Sequence, residues 1–211
     1  MFGVAVCSSS PAVAARCSFA RAGVGAATSQ NITDPALGER LIEAMANGKG
    51  APQAMEALTA SQPLVGYRQM IAVDARGETA VFSGAHTLGV HAAGRARDVA
   101  AAGNLLADAR VPAAMIAAFQ SHGGLLGERL LAAMRAALAA GGEAGLVHSA
   151  GLKIVDRLSW PLVDLRVDWA EDGVIDQLGR LWDIYQPQAD DYVARALNPA
   201  LAPGFGVPGA S

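Results

Sequence analysis

Met1-Phe2-Gly3-Val4-Ala5-Val6-Cys7-Ser8-Ser9-Ser10 opens the chain inside a strand, with no lead-in. Small and β-branched residues fill Phe2 to Cys7, and a hydroxyl-rich corner follows at once. The run from Phe19 to Ser29 holds a second strand of the same kind, Ala22-Gly23-Val24-Gly25-Ala26-Ala27, which leads into Thr28-Ser29-Gln30-Asn31. Strands built from such small residues suit a sheet that is covered on both faces. Two strands that finish in hydroxyls and amides can place those groups together at one end of a sheet.

Outward from these strands, the element signals come in blocks. Thr33-Asp34-Pro35 announces a helix by a capping residue followed by proline at the first helical position. Leu37, Leu41, Ile42 and Met45 follow at helical spacing, and Gly48 closes the segment. Pro52 starts a shorter helix with Met55 and Leu58 inward. Tyr67 to Asp74 and Glu78 to Ser83 form a hairpin through Ala75-Arg76-Gly77. Val99 to Leu106 reads as a buried strand. Pro112 opens a helical pair, with Met115, Ile116 and Phe119 on the first helix and Leu126, Leu130, Leu131, Met134 and Leu138 on the second, ended by Gly141-Gly142. Strands at Gly145 to Val155 and Leu162 to Val167 precede an amphipathic helix carrying Val174, Ile175, Leu178, Leu181 and Trp182. Strands interrupted by helix pairs argue for α+β layers, two sheets between helix layers, rather than alternating βαβ winding. The expected organisation is one domain over residues 1–185 and a Pro/Ala/Gly-rich tail over 186–211. That tail wraps the surface, reaches a neighbouring subunit or stays loose. No internal repeat is visible.

Composition narrows the class. Of the 211 residues 52% are apolar and 17% charged, which is ample material for a core, yet only 5% are aromatic. The net charge is -3 with no basic stripe, so the electrostatic footprint of a nucleic-acid binder is absent. No apolar run reaches the length of a membrane span, and no secretory signal opens the chain. Two cysteines, Cys7 and Cys17, both flank apolar runs and read as core. The expected setting is cytoplasmic, without membrane or nucleic-acid partners. Small-residue strands and a long tail favour a homodimer or higher homo-oligomer.

No strong catalytic motif appears. The chain lacks a Walker loop, His-Glu-x-x-His, Cys-x-x-Cys and Gly-x-Ser-x-Gly, and Gly23-Val24-Gly25 is too short for a dinucleotide fingerprint. No cofactor is implied. The histidines at 86, 91, 122 and 148 lack ligand spacing, so no metal site is expected. The hydroxyls of Ser8 to Ser10 can satisfy turn backbone groups or hold an amide substrate. Thr28 to Asn31 is either a satisfied loop or an oxyanion-binding corner. Arg68 and Gln69 point to opposite faces of their strand, so only one of them shares a face with Tyr67. Asn104, inside Gly103-Asn104-Leu105-Leu106, pins a loop or contacts a substrate. Asp164, Arg166 and Asp168 alternate along one strand and face one side, either as a carboxylate–guanidinium brace of the sheet edge or subunit contact or as part of a site.

Several short segments occur in order: Gly3-Val4-Ala5-Val6, Arg21-Ala22-Gly23-Val24-Gly25-Ala26, Thr28-Ser29-Gln30, Tyr67-Arg68-Gln69, Val73-Asp74, Phe82-Ser83-Gly84, Ala102-Gly103-Asn104-Leu105-Leu106 and Val163-Asp164-Leu165-Arg166-Val167-Asp168. Together they resemble the DUF1028 family of Ntn-hydrolase-like bacterial proteins, from the first residues to about residue 185. The resemblance implies a four-layer αββα sandwich. It also implies cleavage of small amides or cyclic amides by an N-terminal Thr, Ser or Cys, whose own α-amine is the base. The chain departs from the family at that point. Residue 2 is Phe and Met1 has no nucleophile, so the catalytic residue is expected on a first strand upstream of Met1. By the same resemblance Ser8, Ser10, Ser29, Gln30 and Asn104 are the expected substrate-binding residues. Two other readings stand beside this one: a non-catalytic ligand-binding or assembly protein on the same scaffold, and a cysteine hydrolase using Cys7 with His148.

Overall fold

The computed structural model describes residues 1–204 and Gly206. It is a mixed α+β fold of antiparallel sheets and helices. One sheet has four strands in the order β2 (Ser18–Arg21), β3 (Gly25–Asn31), β4 (Arg68–Asp74), β5 (Thr79–Ser83). Its register pairs Thr28 with both Ser18 and Ile71, and Ile71 with Val81. A second sheet has three strands, with β8 (Ser149–Val155) between β1 (Phe2–Ser8) and β9 (Val163–Val167). Phe2 faces Val155 and Ser8 faces Ser149 along the whole of β1. A separate hairpin joins β6 (Ala92–Ala96) to β7 (Val99–Gly103).

Two helices cover the four-stranded sheet. The first, α2 (Pro35–Ala46), starts where Asp34 accepts the Ala36 N–H at 3.1 Å. The second, α3 (Ala51–Ser61), starts where the buried Asp74 carboxylate accepts the Ala51 N–H at 2.8 Å. Asp74 also holds the β4–β5 turn by accepting from the N–H groups of Arg76 and Glu78. Leu37, Leu41, Ile42 and Met55 pack on Met70 and Ala80, and Leu37 and Leu41 have no exposed surface. Gly38 is required there, because a β-carbon would lie 2.0 Å from the Phe19 ring.

The other helices are α4 (Val111–Ser121), α5 (Leu126–Ala139) and α6 (Val174–Tyr185). From α5 and α6, Leu131, Met134, Ile175 and Leu178 close over Leu152 and Ile154 of β8. Between the two sheets, Val4 and Val6 of β1 meet Ala26 of β3 and Val13. Alternation therefore buries both faces of β1, since Ala5 and Cys7 pack towards the α5–α6 cluster.

Several features go beyond the sequence expectation or differ from it. The run Phe19 to Ser29 is two strands, because Gly23 at φ 74° allows a turn in which the Val24 N–H reaches Arg21 O. A short helix, α1 (Ala14–Cys17), follows the serine corner. β6 has only small residues and Arg95, and no apolar alternation marks it. The tail beyond Tyr185 continues as one 3-10 turn and then α7 (Ala189–Leu197), with Tyr192 stacked on Tyr185. Residues 205 and 207–211 of that tail lie outside the described residues. No helix among the described residues is long and apolar enough to cross a membrane.

Candidate functional site

Among the described residues, no strand pairs with the edge of β1 away from β8 or with the edge of β7 away from β6. Both edges line one elongated cavity of about 900 Å³. The volume sits at the upper end of the range for small-molecule pockets. Its floor is the inner face of β3 and β4, including Thr28, Ile71 and Val73. Its roof is α4 and α5, with Met115, Phe119, Leu126 and Leu130. Thr28 is 3% exposed, and its hydroxyl has no partner among the described residues.

The two ends of the cavity differ in chemistry. At one end stand Met1, Arg76, Arg97 and Asp98. At the other stand Ser8, Ser10, Gln30, Asn104 and Glu143. Four of the five expected site residues thus gather at one end. The serine corner is braced from across the cavity: Glu143 accepts from Ser9 N at 2.8 Å and from Ser9 Oγ at 2.7 Å. Leu106 bridges to Glu143, and the Ala144 N–H reaches Leu105 O at 2.7 Å. The last residues of β1 and of β7 therefore meet at the same end, so the two strands run in the same direction with the cavity between them.

Within the corner, Ser8 Oγ accepts the Ser10 N–H at 3.1 Å and lies 2.9 Å from Ser10 Oγ. Arg16 donates to Ser10 Oγ at 2.7 Å and to the carbonyls of Pro11 and Ala12. The hydroxyls thus serve the turn while they line the cavity. Opposite them lies an amide network centred on Gln69, which has no exposed surface. Gln69 Oε1 accepts from Gln30 Nε2 at 2.8 Å and from Asn104 Nδ2 at 3.2 Å. Gln69 Nε2 donates to Ser83 Oγ and to Gly103 O. The carbonyl oxygens of Gln30 and Asn104 have no partner among the described residues and remain available as acceptors. Gln69 is the central residue that the sequence left unassigned. Its place inside a β-rich segment was the available signal, since a buried amide needs partners. Its neighbour Arg68 turns the other way, to Ile32 O.

Ser29 stands apart. It is on the α2 side of β3, has no exposed surface, and donates to Asp34 O at 2.8 Å. Ala12, Asn31 and Leu105 all have positive φ, at 52°, 73° and 52°, and flank the polar end. Such backbone is uncommon for Ala and Leu, and non-glycine strain of this kind concentrates at functional sites.

Cys7 and His148 do not form a catalytic pair. Burial, with the Glu143 charge second, pushes the Cys7 thiol from 9.0 up to about 12. His148 Nδ1 is 2.7 Å from Ala170 O, and its ring stacks on Trp169 at 4.4 Å. Among the described residues, no three His, Cys, Asp or Glu side chains gather as a metal site. On β9, Arg166 grips Asp164 with bonds of 2.8 and 2.9 Å. Burial opposes ionisation there, but Arg166 and Lys153 together hold the Asp164 carboxyl below its usual range.

Comparison with known proteins points one way. No curated protein matches the chain. The fold is similar to the crystal structure of a DUF1028 protein from Silicibacter pomeroyi, with 27% sequence identity and a TM-score of 0.81. That likeness covers 87% of this chain and 82% of the other. The family model described as a family of unknown function, DUF1028, matches residues 1–178. The chain therefore belongs to the DUF1028 family.

Proposed function

We propose that this chain is the body of an Ntn-type hydrolase of small amides or cyclic amides. In this reading the layers form an αββα sandwich, and the nucleophile begins a strand that lies upstream of Met1. One observation carries the reading: the polar groups cluster at the end of the cavity where a strand antiparallel to β1 would start. The first residue of that strand would then fall among Ser8, Ser10, Gln30 and Asn104.

The chemistry follows from that position. A Thr, Ser or Cys side chain attacks the amide carbon, and the terminal amine, with a pKa of about 7.7–8, takes the proton. The Ser8 and Ser10 hydroxyls are the donors nearest the developing oxyanion. The free carbonyls of Gln30 and Asn104 accept from the substrate amide N–H. Collapse of the tetrahedral intermediate expels the amine, which takes a proton from the terminal ammonium. Water then cleaves the acyl-enzyme. Ser29 holds the end of β3 against α2 and makes no substrate contact in this scheme.

The test extends the chain upstream by one strand that begins, after removal of the initiator Met, with Thr, Ser or Cys. Hydrolysis of an amide panel is expected, and replacing the first residue by Ala should abolish it. A folded, correctly processed extended protein that is inert across the panel would sink the reading. The second reading, a ligand-binding or assembly protein, is favoured by one observation: the Ser8 and Ser10 hydroxyls already serve their own turn and Arg16. A stop codon directly upstream of Met1 would support it. Light scattering would show whether the protein forms the homodimer expected on either reading.

A further inference from the structure

We propose that a second cavity, beside β2, binds a small flat molecule that carries a single carboxylate. This cavity measures about 420 Å³, a size suited to a small ligand. It is lined by β2, by Lys153 and Val155 of β8, by the loop that follows β8, and by Glu39 and Ile42 of α2. No residue lines both this cavity and the large one. The proposal is therefore independent of the hydrolase reading.

Two side chains carry it. Alternation along β8 turns Leu152 and Ile154 to the α5–α6 cluster, so Lys153 faces β2. The Lys153 side chain is 18% exposed, yet its ammonium makes only long contacts, 3.4 Å to Ser18 O and 3.5 Å to Asp164 Oδ2. An ammonium has three donors, and N–H···O bonds ordinarily fall near about 2.9 Å. Asp164 does not depend on this lysine, since Arg166 holds it with bonds of 2.8 and 2.9 Å. The second side chain is Ser18. Phe19 packs on Gly38 of α2, so Ser18 turns the other way, towards β8. Ser18 lines the cavity and is 7% exposed, and its hydroxyl has no partner among the described residues. Buried polar side chains are otherwise almost always paired. A carboxylate supplies what both groups lack, one acceptor oxygen for the ammonium and one for the hydroxyl.

Charge and shape narrow the ligand class. Arg21 and Arg157 also line the cavity, but each already has a carboxylate beside it, Glu43 at 3.0 Å and Asp156 at 3.3 Å. Glu39 adds a negative charge to the wall. These surroundings hold no surplus for a phosphate dianion, whereas one carboxylate matches the one poorly partnered cation. Trp160 lines the same cavity, is 40% exposed and offers a flat apolar face to the body of the ligand.

The experiment titrates the 211-residue chain with cinnamate, with its neutral carboxamide and with phenyl phosphate. Calorimetry measures affinity, and amide NMR shifts locate the ligand. Cinnamate is expected to bind with a Kd below about 1 mM. The carboxamide and the phosphate are expected to bind at least about tenfold more weakly. Shifts should concentrate in residues 18–21 and 153–161 and spare 99–104. Lys153→Met keeps the aliphatic stem and should weaken cinnamate about tenfold. Trp160→Ala, on an exposed loop, should weaken it about threefold with the thermal melt unchanged, and this variant serves if the lysine variant fails to fold. Any of four results would overturn the proposal. The first is the absence of saturable cinnamate binding. The second is equal binding of the carboxamide, which would make the cavity merely apolar. The third is tighter binding of the phosphate. The fourth is a set of shifts at 99–104 rather than 18–21, which would place the ligand in the large cavity.

Discussion

The two sheet systems of this molecule treat their strand edges in opposite ways. The β2-β3-β4-β5 sheet is continuous, and Leu37 and Leu41 of α2 are wholly buried on it. On the other side the strands fall into a group of three and a pair, and a cavity of about 900 Å³ lies between them. The difference in composition is small, since both cores are built mostly from aliphatic residues and Met. What differs is completeness of pairing. The continuous sheet is a platform, while the divided side borders a cavity that the platform and two helices shape.

The largest expected effect tests the platform. Leu41→Ala should cost about 3 kcal/mol in urea unfolding, because a fully buried leucine leaves a cavity the fold cannot close. Met115→Ala on the cavity roof should cost about 1 kcal/mol or less, since that side chain already borders empty space. Equal costs would erase the contrast. Between them falls Gln69→Leu, expected to cost about 2 kcal/mol. It strands the Gly103 carbonyl and the Asn104 amide and leaves Gln30 Nε2 with Ala102 O alone. Hydrogen exchange in 92–103 should accelerate in that variant more than exchange in 68–83.

The remaining prediction concerns Cys7. Its folded pKa, about 12, lies above the ordinary 9.0. A raised acid favours the protonated folded state. Its contribution is full below about pH 9 and is lost as pH rises towards 12. Unfolding midpoints should therefore fall across that window, and less so in Cys7→Ala. Maleimide labelling of Cys7 at pH 8 should be slow. Rapid labelling would mean that the wall of the cavity opens readily.

Legibility in the sequence followed the strength of local signals. Asp34-Pro35 marked the start of α2, and the stripe Leu37, Leu41, Ile42, Met45 set its buried face. The β4–β5 hairpin was equally plain, since Gly77 at φ 77° occupies the turn. By contrast β6 was silent. Ala92, Ala93 and Gly94 carry no alternation, and the strand is held through Arg95 and Thr79 instead. The strand expected through Leu106 stops at Gly103, because Leu105 turns the backbone at φ 52°. At the site, the expected hydroxyls and amides stand at strand ends, and Ser8, Ser10, Gln30 and Asn104 line one end of the cavity while Ser29 does not. The side chain of Ser29 could not be oriented without the break at Gly23, which fixes the phase of β3. Gln69 was hidden because its importance lies in long-range bonds to Gln30, Ser83 and Asn104.

The β6–β7 hairpin is fastened to the platform mainly at its two ends: by Thr79, Arg95, Arg97 and the Asp98 N–H to Gly77 O near the turn, and by Gln30 and Gln69 near Gly103. It shares no main-chain ladder with either neighbour. Such an attachment behaves as a latch with few fasteners, released locally without melting the rest. Whatever enters the space beside β1 would therefore set how firmly this outer flap is shut, so occupancy could be read from the flap rather than from the guest.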